Sequence, residues 1–128
     1  MKTIKQIYRI QAPVGKVWQA LVDPKVIDAW GGGPSKMTAE KKFRFSLWGK
    51  EIFGANIEVE PEKLLKQEWF GGKWDEASIV TFSLSEKNNV TTVKLLHEKV
   101  PDSAAKEIEK GWKKVYMGPL KKYIEANK

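Results

Sequence analysis

"GWKKVYMGPLKKYIEANK", residues Gly111 to Lys128, places a tryptophan, two tyrosines and a methionine among five lysines, with a Gly-Pro step in the middle. It reads either as a basic helix for a membrane or nucleic acid, or as a cover whose apolar stripe faces the inside of the protein. Extending the stretch back to about Asp102 decides between them. Ala105, Ile108, Trp112, Val115, Tyr116, Leu120 and Tyr123 recur at spacings of three and four and make one stripe. Lys106, Lys110, Lys113, Lys114, Lys121 and Lys122 fall mostly off it. The segment is therefore a helix with its lysines in water and its aromatics laid on something else. Asp102 or Ser103 is placed to cap it, Gly111 to let the backbone approach a neighbour, and Pro119 to kink it by removing a hydrogen bond.

What that helix covers is written upstream, where the period changes to two. Phe43, Phe45 and Leu47 share a face. Phe53, Ala55, Ile57 and Val59 alternate with Ile52, Gly54, Asn56 and Glu58. Leu65 and Trp69 lie on one side of "LLKQEWF", Val80, Phe82 and Leu84 on one side of "ASIVTFSLS", and Val93, Leu95 and His97 on one side of "VTTVKLLHE". "WGK", "PEK" and "EKNN" are turns, and "GGKWDE" is a longer loop holding Trp74. Consecutive strands joined this tightly pair antiparallel, with one apolar face that needs a cover. At the other end, "TIKQIYRIQA" is a strand with Ile4, Tyr8 and Ile10 inward. Two short helices follow, "PVGKVWQALVD" and "DPKVIDAW", the second capped by Asp23. The expected class is α+β: a curved antiparallel sheet of about six to seven strands, two short helices after the first strand, and a long C-terminal helix closing the sheet.

The 128 residues suit a single domain spanning positions 1–128. With no cysteine, disulfides and thiolate metal sites are excluded, and a lone histidine makes a metal centre and a Cys-His pair implausible. No apolar run reaches the length of a signal peptide or a membrane span, so a cytoplasmic location without membrane contact is expected. The net charge of +7 raises the weight of an acidic partner, although lysines scattered through almost every segment read first as solvated surface, with a weak, salt-sensitive attraction to an acidic protein as the alternative. Nucleic acid is not expected, because the lysines are scattered beside glutamates and only Arg9 and Arg44 supply guanidinium groups. "WGGGPSK" matches no phosphate-binding loop and reads as a connector, and no sequence motif implies a cofactor.

The element order resembles the helix-grip fold of the START-like (SRPBCC) superfamily. Within it, "APVGKVWQALVDPKVIDAW", "PEKLLKQEWFGGKWDEASIVTFSL" and "EKGWKKVYMGPLKKYI" are similar to the C-terminal domain family of the activator of the 90-kDa heat-shock protein ATPase. The resemblance covers nearly the whole sequence. It implies a cavity between sheet and closing helix, with the glycine connector near its entrance, and a chaperone as a possible partner. The eukaryotic activator carries a further N-terminal domain with no counterpart in these residues, and Gly118-Pro119 stands where unbroken helix is expected in that protein.

From the expected facing of each strand, the cavity wall comprises Phe45, Phe53, Trp69, Phe82, His97, Trp112 and Tyr116, suited to a small apolar or amphipathic molecule. Trp30, Trp48 and Trp74 are candidates for the cavity mouth or a partner surface. His97, the one histidine, is either a satisfied core residue or an acid–base group. No catalytic constellation is apparent. Three functions remain open: a non-enzymatic ligand-binding domain, an interaction module that docks on an acidic protein, and a small enzyme built on His97.

Overall fold

The computed structural model describes residues 1–71 and 74–127; Gly72 and Lys73, in the loop expected around Trp74, lie outside the described residues. Strand β1 (Lys2–Ile10) is followed by helices α1 (Val14–Val22) and α2 (Pro24–Trp30). Strands β2 (Arg44–Leu47), β3 (Ile52–Glu60), β4 (Leu64–Gly71), β5 (Ser78–Lys87) and β6 (Val90–Val100) come next. The described strands form one antiparallel sheet in the order β1-β6-β5-β4-β3-β2, which leaves β1 and β2 as its edges. The tight β5–β6 turn follows from asparagine's tolerance of left-handed backbone. Lys87 pairs with Val90, and between them Asn88 and Asn89 take φ of 53° and 63°.

Asp23 caps α2 as its sequence position suggests, its carboxylate accepting from the Lys25 amide at 2.9 Å. The start of α1 has no side-chain cap of its own. Instead Glu86 on β5 accepts from the Val14 amide at 2.7 Å, placing negative charge at the positive end of the helix.

Two sequence expectations are corrected. On β3 the inward residues are Ile52, Gly54 and Asn56, not the more apolar set beginning at Phe53, which is 42% exposed. Phe53 stacks instead on Phe70, with ring centroids 5.3 Å apart. The register slips between Asn56 and Glu58, and beyond that bulge Val59 packs against the core opposite Leu65. One extra residue moves every following side chain to the other face, so simple alternation across the segment misassigns its first half.

The closing segment is the second correction. It is a 3-10 turn (Asp102–Ala104), α3 (Ala105–Gly111), a π-helical turn (Trp112–Met117) and α4 (Gly118–Ala126), and neither Asp102 nor Ser103 caps its start. The irregularity at Gly118-Pro119 is absorbed as a π turn, in which the Gly118 amide donates to the Lys113 carbonyl. The wider turn brings Trp112, Tyr116 and Met117 to the core together and leaves Val115 47% exposed. Only glycine fits at position 118, since a Cβ there would lie 2.2 Å from the Lys113 oxygen. At Gly111, by contrast, a Cβ would meet nothing within 4 Å, so this glycine marks open space and not a close approach. No described helix is long and apolar enough to cross a membrane.

Candidate functional site

Under the π turn lies an aromatic cluster drawn from α2, three strands and the closing segment. Tyr116 sits 4.8 Å from Trp112 and 4.8 Å from Trp30 between ring centroids, with Phe82 stacked at 5.7 Å. Trp69 on β4 reaches Trp112 at 4.8 Å and Phe45 at 6.4 Å. Burying this much ring surface gives a small domain a large share of its apolar stabilisation.

Two polar chains thread the cluster, and Trp69 belongs to both. In the first, the Trp69 indole N–H donates to Gln67 Oε1 at 2.8 Å and Gln67 Nε2 donates to Asn56 Oδ1 at 3.0 Å. Asn56 Nδ2 in turn donates to the carbonyls of Thr38 and Glu40, each at 2.9 Å. In the second, Ser78 Oγ donates to the Trp69 carbonyl at 3.1 Å, His97 Nε2 meets Ser78 Oγ at 2.7 Å, and Trp112 Nε1 donates to His97 Nδ1 at 3.0 Å. An indole N–H can only donate, so Nδ1 is the bare nitrogen and Nε2 carries the proton. The imidazole is fully buried and neutral, and burial pushes its pKa down to about 4. Both ring nitrogens are thus engaged in holding the closing helix to β5 and β6.

Beside the cluster a cavity of about 200 Å³ opens between the closing helix and strands β3 and β4. Trp48, Ile52 and Trp69 form one wall, and Ile108, Gly111, Trp112, Val115 and Tyr116 the other. Among the described residues, Glu107 is the one carboxylate in the lining. Gly111 keeps the space open by having no side chain. Trp48 is held there in a left-handed conformation, φ 48°, which a bulky residue rarely adopts. Its amide donates to the Gly32 carbonyl at 2.9 Å and its indole to that of Gly31 at 2.7 Å, so the glycine connector sets one wall of the cavity. Local strain maintained by surrounding contacts is a frequent mark of a functional surface.

Of the residues named from sequence, Trp69, Trp112 and Tyr116 line this cavity, and Trp48 stands at it as a wall. Phe45, Phe82 and His97 lie in the cluster behind it, and Trp30 packs behind Tyr116, buried and bonded to the Ala20 carbonyl at 2.8 Å. Phe53 is on the opposite face of the sheet, and Trp74 packs near Gly71 outside the lining. Sequence reasoning missed Ile52, hidden by the β3 bulge, and the contribution of Gly111, whose role shows only as empty space. It also missed Asn56 and Gln67, whose polarity suggests the solvent face.

One atom of the site has no partner. The Tyr116 hydroxyl is buried without a hydrogen bond among the described residues, and burial raises its pKa above the ordinary tyrosine value.

A curved antiparallel sheet gripping one long helix, with a cavity at their junction, is the START-like helix-grip architecture. The chain belongs to the Activator of Hsp90 ATPase homolog 1-like family, whose model matches residues 11–125. Among curated proteins it is similar to the activator of 90 kDa heat shock protein ATPase homolog of Dictyostelium discoideum, at 25% identity over 124 residues. That match covers 94% of this chain and 32% of the relative. The chain spans about a third of the length of the curated relatives it matches. Among solved structures, an HSP90 activator from Plasmodium falciparum superposes with a TM-score of 0.89 at 19% identity, covering 97% of this chain and 96% of that one. CalU16 from Micromonospora echinospora gives 0.84 at 26% identity, covering 98% and 76%.

Proposed function

We propose that this chain is a non-enzymatic binding domain that takes a small, mainly apolar molecule into the cavity beside Tyr116. The observation that carries the reading is the cavity itself, whose lining is aliphatic and aromatic apart from Glu107 and which Gly111 leaves unfilled. At about 200 Å³ the cavity is smaller than sites for drug-sized molecules, which run to roughly 300–1,000 Å³. A single ring or short aliphatic group suits this volume. The commitment of both His97 nitrogens to structural bonds argues against acid–base chemistry at the one histidine.

Gly111→Leu tests this, since it fills the cavity from a position where a side chain meets nothing. Native mass spectrometry of the purified protein is expected to show an added mass that is lost on denaturation and absent from Gly111→Leu. An adduct retained by that variant would put the ligand elsewhere. No adduct, together with no thermal shift from phenol, indole or short alcohols, would overturn the reading.

A second reading rests on family membership and the net charge of +7: docking on a 90-kDa heat-shock chaperone. Binding to the purified chaperone should then weaken steeply as salt rises. Affinity independent of salt would exclude the lysines as the docking device.

A further inference from the structure

We infer that the free edge of β1 is a strand-addition site for an extended acidic peptide, a surface distinct from the cavity. A groove beside this edge is lined by Gln6, Ile7 and Tyr8 on the strand and by Glu109, Lys110, Lys113 and Lys114 on the closing helix, with Gln6 Nε2 donating to the Glu109 carbonyl at 2.9 Å on the inner side. Side chains of consecutive strand residues point to opposite faces, so Gln6, Ile7 and Tyr8 can share one groove only along the backbone edge. β1 pairs with β6 on its other side alone, and no backbone hydrogen bond beyond that pairing engages residues 2–9 among the described residues. Every second amide and carbonyl of the strand therefore faces outward unpaired, the template that a β-strand from another chain completes.

Charge selects the occupant. Lys110, Lys113 and Lys114 stand at spacings of three and four on one helix face, where like charges repel and weaken the helix. Across the edge, Lys5 and Arg9 project on the outer face of β1, and Lys94 lies opposite Ile7 on β6. No ion pair among the described residues engages any of these cations. The strand itself, "KTIKQIYRI", has no acidic residue, so pairing with β1 of a second copy would set cation against cation. The lysines thus reject self-association and admit a strand whose alternate residues are acidic. Ile7, 63% exposed, offers that strand an apolar contact between the charges.

The test uses a fluorescent peptide of about ten residues alternating glutamate and valine, titrated at low salt and followed by anisotropy. The peptide should bind and should slow amide hydrogen exchange at residues 4–10. Lys110→Glu/Lys113→Glu/Lys114→Glu should weaken it about tenfold or more. Reversing the exposed Lys36, Lys50 and Lys63, which lie toward the opposite, β2 side of the sheet, to glutamate should change it by no more than about twofold. A peptide of equal charge with proline at alternate positions should not bind, because it cannot pair along a strand edge. The inference is overturned if the proline peptide binds as well as the first, or if exchange in β1 is unchanged on binding. It also fails if only phosphatidylserine vesicles or single-stranded DNA are bound. The peptide comparison needs no variant, so it stands even if a charge reversal disturbs folding.

Discussion

The Trp112 indole N–H donates to His97 Nδ1 across 3.0 Å, and this bond fastens the closing helix to the last strand through the chain's single histidine. It fixes the tautomer, turns the other nitrogen toward Ser78, and leaves no room for a second ring proton. A residue that sequence leaves open as catalyst or core is here the middle of a satisfied hydrogen-bond chain.

That bond makes stability depend on pH in a defined window. Unfolded, His97 titrates near 6.5; folded, near 4. Above the upper value both states hold the ring neutral and its full contribution is present. As pH falls, the unfolded state takes up the proton first, so stability is lost between about 6.5 and 4 and no further below, by about 3 kcal/mol in all. Urea unfolding across this range should show that loss in the native protein beyond the slope of His97→Gln. Equal slopes would mean that the imidazole is not held neutral by burial.

Gly111 and Gly118 flank the π turn and should respond oppositely to alanine. At Gly111 the backbone is helical and a Cβ is unopposed, so Gly111→Ala should stabilise by about 0.5–1 kcal/mol. At Gly118 the Cβ would strike the Lys113 carbonyl, so Gly118→Ala should destabilise by about 1–3 kcal/mol or force the turn to rearrange. Thermal melts of the two variants decide it, and a stabilising Gly118→Ala would refute the π turn.

Trp112 combines apolar burial with the bond to His97, and two substitutions separate them. Trp112→Phe should lose about 1–2 kcal/mol while keeping a ring in the cluster. Trp112→Ala should lose about 3–5 kcal/mol and merge its space with the cavity. Denaturation of both, with binding of an apolar fluorophore as a second readout, distinguishes the contributions; an unperturbed alanine variant would remove Trp112 from the core.

Phe53 should be tolerant. Its stack on Phe70 lies on the outer face, and such pairs contribute about 0.5–1.5 kcal/mol. Phe53→Ser should cost no more than that and leave ligand uptake unchanged. A loss of uptake would return Phe53 to the cavity wall.

The element order, the antiparallel sheet and the amphipathic closing helix were all legible in the sequence, because hydrophobic periodicity and turn residues act locally. Trp69, Trp112 and Tyr116 could be assigned to one site because each lies on a regular stripe. The face of β3 could not, since one bulged residue inverts the period and only pairing with β4 reveals where it sits. Asn56 and Gln67 are buried against their polarity because they satisfy each other across strands, a condition that no local pattern expresses.

The sequence by itself determined which segments become strands and helices and which faces are mostly apolar. Tertiary structure alone decided that Gly111 borders empty space, that His97 is locked between Ser78 and Trp112, and that the Tyr116 hydroxyl is left without a partner among the described residues. Local patterns record a residue's affinity for water. A cavity, a tautomer and an unpaired hydroxyl are relations among atoms far apart in the chain, and they exist only once packing has brought those atoms together.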